Sequence, residues 1–303
     1  MKSAGNLEKA INSGRFVVTA ECGPPRGADP AVMKRKASFL RGFVDAANVT
    51  DNQTSVVRMS SMAACILLLQ EGVEPVLQMT SRDRNRIALQ SDLLGAASLG
   101  ISNVLCLSGD HPKFGDHPEA KGVFDIDSIQ MIQAFKGMRD EGRLISGREL
   151  TVSPKVLIGA VENPFSTPLE FRVPRLAKKI AAGADFIQTQ SVFNLERFSA
   201  WMSDVRERGL HEKTAILAGI TPFKSAKMAE YMAHKVPGMD VPQNLIDRIK
   251  GVKPESVREE GIKICLEIIE QVRRIPGVRG IHIMAIEWEE MVSEIVKRAS
   301  LRS

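Results

Sequence analysis

Cysteine is sparse in this chain of 303 residues, and the four present, Cys22, Cys65, Cys106 and Cys265, are scattered. No CxxC pair and no His-spaced cysteine set occurs, so the usual zinc and iron-sulfur spacings are missing. The histidines are few and widely separated, with no HExxH pattern, and no protein-held metal is expected. Buried, reduced thiols are the reading that remains. Long apolar runs are lacking too: the longest, Met62 to Leu69, is far short of the roughly 20 residues that span a bilayer. The opening MKSAGNLEKAINSG carries Glu8 and has no apolar core or small-residue cleavage site, so a cytoplasmic location is expected. Nor does one charge sign dominate. Forty-one basic against 36 acidic residues leaves +5, interspersed along the chain, which suits anionic ligands and gives no ground for nucleic acid.

What is present is ordinary globular composition, 44% hydrophobic and 25% charged, with length for one large domain or two medium ones. Short runs rich in Val, Ile and Leu alternate with longer amphipathic stretches. Eight strands are predicted: Phe16 to Glu21, Ala46 to Thr50, Pro75 to Met79, Asn103 to Leu107, Lys155 to Ala160, Phe186 to Thr189, Ala215 to Ile220 and Gly280 to Met284. Glycine turns that end helices precede several of them, as in Ser98-Leu-Gly-Ile-Ser and Ala181-Ala-Gly-Ala-Asp. Val257, Gly261, Ile264, Ile268 and Val272 make an apolar helical stripe before the last strand. This is an α/β pattern, and eight βα units in this length fit a (β/α)8 barrel forming a single domain over residues 1–303. An open doubly wound sheet is the alternative, weakened because no βα turn carries GxGxxG. The polar stretch His111 to Gly122 reads as a barrel loop over a site.

In such a barrel, chemistry sits at the C-terminal ends of the strands. Polar residues fall there: Glu21, Thr50 and Asp51, Gln78 and Thr80, Asp110, Glu162 and Asn163, and Gln190. A lone carboxylate at a strand end more often caps a helix than catalyses; the convergence is what marks this set. Glu21 ends the apolar strand FVVTAE and is followed by the stiff turn Cys-Gly-Pro-Pro-Arg, so desolvation is expected to raise its pKa and keep a proton available. Gly109, in Leu-Ser-Gly-Asp, permits close backbone approach to a flat ligand.

TAECGPPRG, NVTD, QMT, LSGD, AGADFIQTQ and GITP, in this order and spacing, resemble the methylenetetrahydrofolate reductase family from about Phe16 to about Ile295. The resemblance implies a flavin-bearing barrel that reduces 5,10-methylenetetrahydrofolate to 5-methyltetrahydrofolate. It gives Glu21 the role of the acid that protonates folate N10, with hydride then delivered from flavin N5. It places Asp110 between flavin and folate, where its charge steadies the cationic iminium. It makes Gln190 a pterin contact, and Thr50, Gln78, Ser108, Gly109, Phe124 and Lys179 flavin contacts, with Lys179 toward a phosphate. FAD is the implied cofactor, with FMN as the alternative. The implied electron donor is NAD(P)H or a redox partner subunit, the latter in a hetero-oligomer with a metal-carrying subunit. No regulatory domain of the eukaryotic kind is expected within this length.

Departures from the family pattern accompany the match. Gln78 replaces a frequent histidine, Ser108 a usual arginine, and Ala226 an aromatic that stacks on folate or nicotinamide; Phe223 stands near but out of register as a substitute substrate contact. Plainer readings stand beside these. Lys178 and Lys179 read more readily as a solvated helix face, Gln190 as a partner for backbone groups, Cys22 as packing, and His282 as a satisfied core or barrel-bottom histidine. Three functions follow: a flavin-dependent folate reductase, a flavin electron-relay subunit of a larger complex, and a flavin-free pterin-binding barrel that transfers methyl or methylene groups.

Overall fold

Each apolar run predicted as a strand is a strand in the structure, a computed structural model that describes residues 1–302. The strands are β1 (Val17–Cys22), β2 (Ala46–Val49), β3 (Pro75–Thr80), β4 (Asn103–Leu107), β5 (Leu157–Glu162), β6 (Phe186–Ser191), β7 (Ala215–Ile220) and β8 (Val278–Ile283). They pair in parallel in chain order, and β8 closes on β1 with Val17 opposite Gly280 and Ala20 opposite Ile283. That pairing excludes the open sheet and leaves no free sheet edge.

Around the barrel run α1 (Asn6–Asn12), α2 (Pro30–Leu40), α3 (Ser61–Gln70), α4 (Arg86–Ser98), α5 (Ser128–Lys136), α6 (Arg172–Ala182), α7 (Leu195–Glu207), α8 (Ala226–Lys235), α9 (Gln243–Lys250), α10 (Val257–Arg274) and α11 (Val292–Arg298). Among the described residues no helix is long and apolar enough to cross a membrane. The stripe predicted on α10 is its buried face, with Gly261, Ile264, Ile268 and Val272 turned inward.

Strand alternation sorts side chains between two cores. Val18, Ala20 and Cys22 point out into the layer under the helices, whereas Val17 joins Ala46, Val76, Leu105, Leu157, Phe186 and Leu217 inside the barrel, closed from below by Leu7 and Ala10 of α1. Gly159 makes room for Phe186, since a Cβ there would lie 2.2 Å from the ring. Above this apolar layer the interior turns polar. Gln188 Nε2 donates to Asn48 Oδ1 (3.0 Å) and Thr19 Oγ1 (3.2 Å), and Thr19 Oγ1 lies 2.9 Å from His282 Nδ1.

Strand limits differ from the sequence reading in places. β5 runs two residues later than the predicted Lys155 to Ala160, because Lys155 and Val156 precede the ladder with β4, which begins at Leu157. Glu162 is instead the last strand residue and faces the helix layer, where a cation neutralises it.

Candidate active site

A cavity of about 430 Å³ opens at the C-terminal mouth of the barrel, with Glu21, Gln78, Gln190, His282 and Met284 on its wall and Gln188 in its floor. Arg175 and Lys179 of α6 border it on the β5 side. Strand alternation explains the set: positions two apart on each strand face inward, and the last inward position of each strand ends at the mouth.

Glu21 has its carboxyl pushed up to about 7, chiefly by burial, with the nearby Glu289 adding to the shift. A hydrogen bond from Gln53 and the charges of Lys36 and Arg58 act against it. Glu289 is itself buried after β8, paired with Lys36, and Lys36 Nζ also donates to the Gly23 carbonyl at 2.8 Å. The turn that follows Glu21 is thus pinned to α2 and to the segment after β8. Cys22 points the other way, and burial pushes its thiol up to about 12, so it packs and does not ionise.

Gln53 was not read from the sequence as a site residue. It begins the tight turn Gln53–Ser55, where Asn52, Thr54 and Ser55 all have positive φ (46°, 57° and 57°). Three such non-glycine residues close together store strain that neighbours must hold. Arg82 does much of that holding: its buried guanidinium donates to the Asn52 carbonyl (3.3 Å), Ser55 Oγ (3.0 Å) and the Asp110 carbonyl (3.4 Å). Thr54 N donates to Asp110 Oδ2 at 3.2 Å, and Ser55 Oγ to the Asp110 carbonyl at 2.8 Å. Asp110 therefore lies on an exposed loop tied to the same turn that reaches Glu21. The arginine missing at Ser108 has a neighbour in Arg82, supplied from the end of the adjacent strand.

The other predicted positions divide. Thr50 is buried and its hydroxyl has no partner in the protein, while Gln78 presents its amide to the cavity. Ser108 Oγ accepts from Ser128 N, 3.4 Å away, at the start of α5. Gly109 has φ +87°, and a Cβ there would lie 3.1 Å from the Cβ atoms of both Thr80 and Arg82, so its close approach is to the end of β3. The loop after β4 folds back on that same strand end, with Phe124 N donating to the Ser81 carbonyl and Val123 N to that of Arg82. Phe124 is partly exposed at φ 41° and stacks on His111, rings 6.4 Å apart. Gln190 lines the cavity while its Oε1 accepts from Ser191 N at 3.0 Å.

Lys179 is not on a solvated face. It is buried between α6 and β5, with Nζ 2.8 Å from Glu162 Oε2 and 2.5 Å from the Val161 carbonyl. Burial draws its ammonium below the ordinary lysine value against the pull of Glu162. Arg175, one turn earlier, borders the same cavity and has no ion-pair partner among the described residues; its i, i+4 spacing to Lys179 was the available signal. His282 matches the core reading: burial holds its imidazole down at about 3, hence neutral, above the apolar layer and not at the barrel bottom. Phe223 is corrected. It is fully buried and stacked on Phe193, centroids 4.7 Å apart and 6° from parallel, because the position out of register faces the helix layer and not the mouth.

A family model described as methylenetetrahydrofolate reductase matches residues 6–300. The chain is similar to a probable methylenetetrahydrofolate reductase (NADPH) of Caenorhabditis elegans, 25% identical over 97% of this chain and 44% of that one. It is also similar to methylenetetrahydrofolate reductase 1 of Schizosaccharomyces pombe, 26% identical over 76% of this chain and 36% of that one. It thus spans less than half the length of these eukaryotic relatives. Similarity to the 5,10-methylenetetrahydrofolate reductase of Pectobacterium carotovorum, 23% identical, covers 99% of this chain and 96% of that one. In fold it resembles a Clostridium thermocellum protein that binds two copies of 5-methyl-5,6,7,8-tetrahydrofolic acid (TM-score 0.66, 15% identity, 97% and 96% covered). Oxaloacetate acetylhydrolase is a more remote likeness (TM-score 0.51, 9% identity, 99% and 84% covered), as expected of a barrel that hosts many chemistries. By the match over residues 6–300, the chain belongs to the methylenetetrahydrofolate reductase family.

Proposed function

We propose that this chain reduces 5,10-methylenetetrahydrofolate to 5-methyltetrahydrofolate, using a flavin held without a covalent bond at the barrel mouth. The observation that carries the reading is Glu21, a carboxyl poised at about 7 on the wall of the mouth cavity. Opening the five-membered folate ring needs a proton at N10, and an acid of that pKa holds one at neutral pH and can release it. The flavin supplies the hydride that the exocyclic carbon accepts. Glu21 delivers the proton, Gln190 orients the pterin through its amide, and Asp110 places negative charge where the cationic iminium develops.

The residues present fit a flavin. The Thr50 hydroxyl is buried and unpartnered, the Gln78 amide faces the cavity, and Arg175 offers positive charge to phosphates at one side, with Lys179 held in its pair with Glu162. Ser108, Gly109 and Phe124, which pack against α5, the end of β3 and His111, are assigned to the flavin by family resemblance alone. FAD is the form we assign, by family resemblance. Donor oxidation is assigned to a partner subunit, a reading supported by Ala226, which offers no ring where the family pattern has an aromatic, and by the enclosed ring of Phe223. Efficient anaerobic flavin reduction by NADH or NADPH alone would overturn that assignment; reduction by a low-potential carrier only would support it.

The decisive experiment is the oxidative half-reaction, in which reduced Glu21→Gln protein is mixed rapidly with methylenetetrahydrofolate. Loss of a positioned acid costs about 10²- to 10⁴-fold, while flavin content and reduction by donor stay near wild type. Near wild-type folate turnover would move the acid elsewhere. Colourless protein after purification with added flavin would overturn the flavin assignment.

A further inference from the structure

At the end of the barrel opposite Glu21, a second cavity of about 390 Å³ lies between α1 and the segments that enter β7 and β8. Two of its three acids are engaged. Asp185 accepts from Lys2 Nζ and Arg139 Nη1, both at 2.5 Å, and Glu8 from the backbone N–H groups of Lys2 and Ser3, both at 2.7 Å. Glu212 projects into solvent. Two of its cations are not engaged. Neither Lys213 nor Arg279 has an ion-pair partner among the described residues, and Arg279 donates Nη2 to the Ile11 carbonyl at 2.9 Å.

Arg279 sits at a break in the ladder. Ile216 pairs with Val278, but the next residue, Leu217, pairs with Gly280, so Arg279 is an extra residue without a partner on β7. Such irregularities re-aim side chains, and this one lines the cavity. Two wall atoms are buried without any hydrogen-bond partner, Thr214 Oγ1 and His211 Nδ1, and Thr214 is 6% exposed. A buried hydroxyl without a partner costs free energy that a ligand acceptor would recover. The cavity's size is within the usual range for small-molecule sites, about 300 to 1,000 Å³.

We propose that this cavity binds a small molecule bearing an oxyanion, phosphate or carboxylate, held between Arg279 and Lys213 with the Thr214 hydroxyl donating to it. Arginine presents a planar fork that suits either group, and the pairing of Asp185 with Lys2 and Arg139 leaves Arg279 and Lys213 as the unpaired cations of the cavity.

The test is titration calorimetry of the intact protein with inorganic phosphate in one arm and malonate in the other, at constant ionic strength in chloride. Saturable one-to-one binding is expected in at least one arm, and the arm that saturates identifies the head group. Lys213→Met and Thr214→Val should each weaken it, the first about 10-fold or more for a lost charged contact. Arg279→Met should do the same, with circular dichroism confirming the fold. Glu21→Gln should bind as wild type. The proposal fails if neither arm saturates, if binding survives Lys213→Met and Thr214→Val, or if Glu21→Gln abolishes it, which would place the anion at the mouth.

Discussion

Gln53 donates its side-chain N–H to Glu21 Oε1 across 3.3 Å, from a strained turn whose next residue, Thr54, holds the Asp110 carboxylate. The bond favours the ionised form of Glu21, and the negative charge of Glu289 disfavours it. The acid works protonated, so the folate half-reaction should be full at low pH and fall as pH rises through about 7. Gln53→Ala removes a bond to the carboxylate and should move this fall to higher pH, by about 0.5 to 1 unit. Glu289→Gln removes a like charge and should move it to lower pH by a similar amount, about 0.5 unit. Rate constants measured between pH 5.5 and 9 would check both; equal midpoints in the two variants would detach the profile from Glu21.

Stability should carry the same signature. The folded carboxyl sits at about 7 against 4.5 for an ordinary glutamate, so the native state binds the proton more tightly than the unfolded chain. The resulting stability is present in full below about 4.5 and lost as pH rises to 7. Glu21→Gln has no such loss. Relative to wild type it should gain about 1–3 kcal/mol between pH 5 and pH 8, after discounting for the partial exposure of the group. Thermal melts of both proteins at the two pH values test this, and a difference independent of pH would contradict it.

Much of this was legible in the sequence, and what was not follows a pattern. The barrel declared itself through eight apolar runs and glycine-ended helices, because strand and helix periods are local. That Glu21 and Gln190 share the wall of the mouth cavity was legible because the ends of inward-facing strands converge by topology. Gln53 and Arg82 were missed because their roles come from a turn with positive φ at Asn52, Thr54 and Ser55, which no residue type there announces. Phe223, three residues before Ala226 and past the end of β7, turns its ring into the core against Phe193, which the spacing alone does not show. Lys179 was read alternatively as solvated because its partner Glu162 is 17 residues away, a pairing that only the packing of α6 on β5 creates.

That buried pair gives a third prediction. Lys179→Met strands the Glu162 carboxylate in a dry place, and breaking one partner of a buried pair costs about 3–5 kcal/mol. Replacing both, with Glu162→Gln and Lys179→Met together, should recover much of the loss, since neither variant side chain is charged. Urea unfolding of the two singles and the double closes the cycle. A double variant as unstable as the sum of the singles would mean the two residues act separately.

Arg82 gives the last. Its guanidinium reaches Asn52, Ser55 and Asp110 at once because its donors form a rigid fork, which lysine lacks. Arg82→Lys keeps the charge but loses most of these bonds, so the strained turn should relax and Gln53 should leave Glu21. The expected mark is a rise of the pH midpoint of the folate half-reaction, in the direction of Gln53→Ala, together with slower turnover. If Arg82 acts through Gln53, the Gln53→Ala and Arg82→Lys double variant should show no midpoint beyond that of Gln53→Ala alone, whereas independent effects would add. Flavin reduction by the donor, which needs no proton from Glu21, is the control that separates a disturbed acid from a disturbed fold.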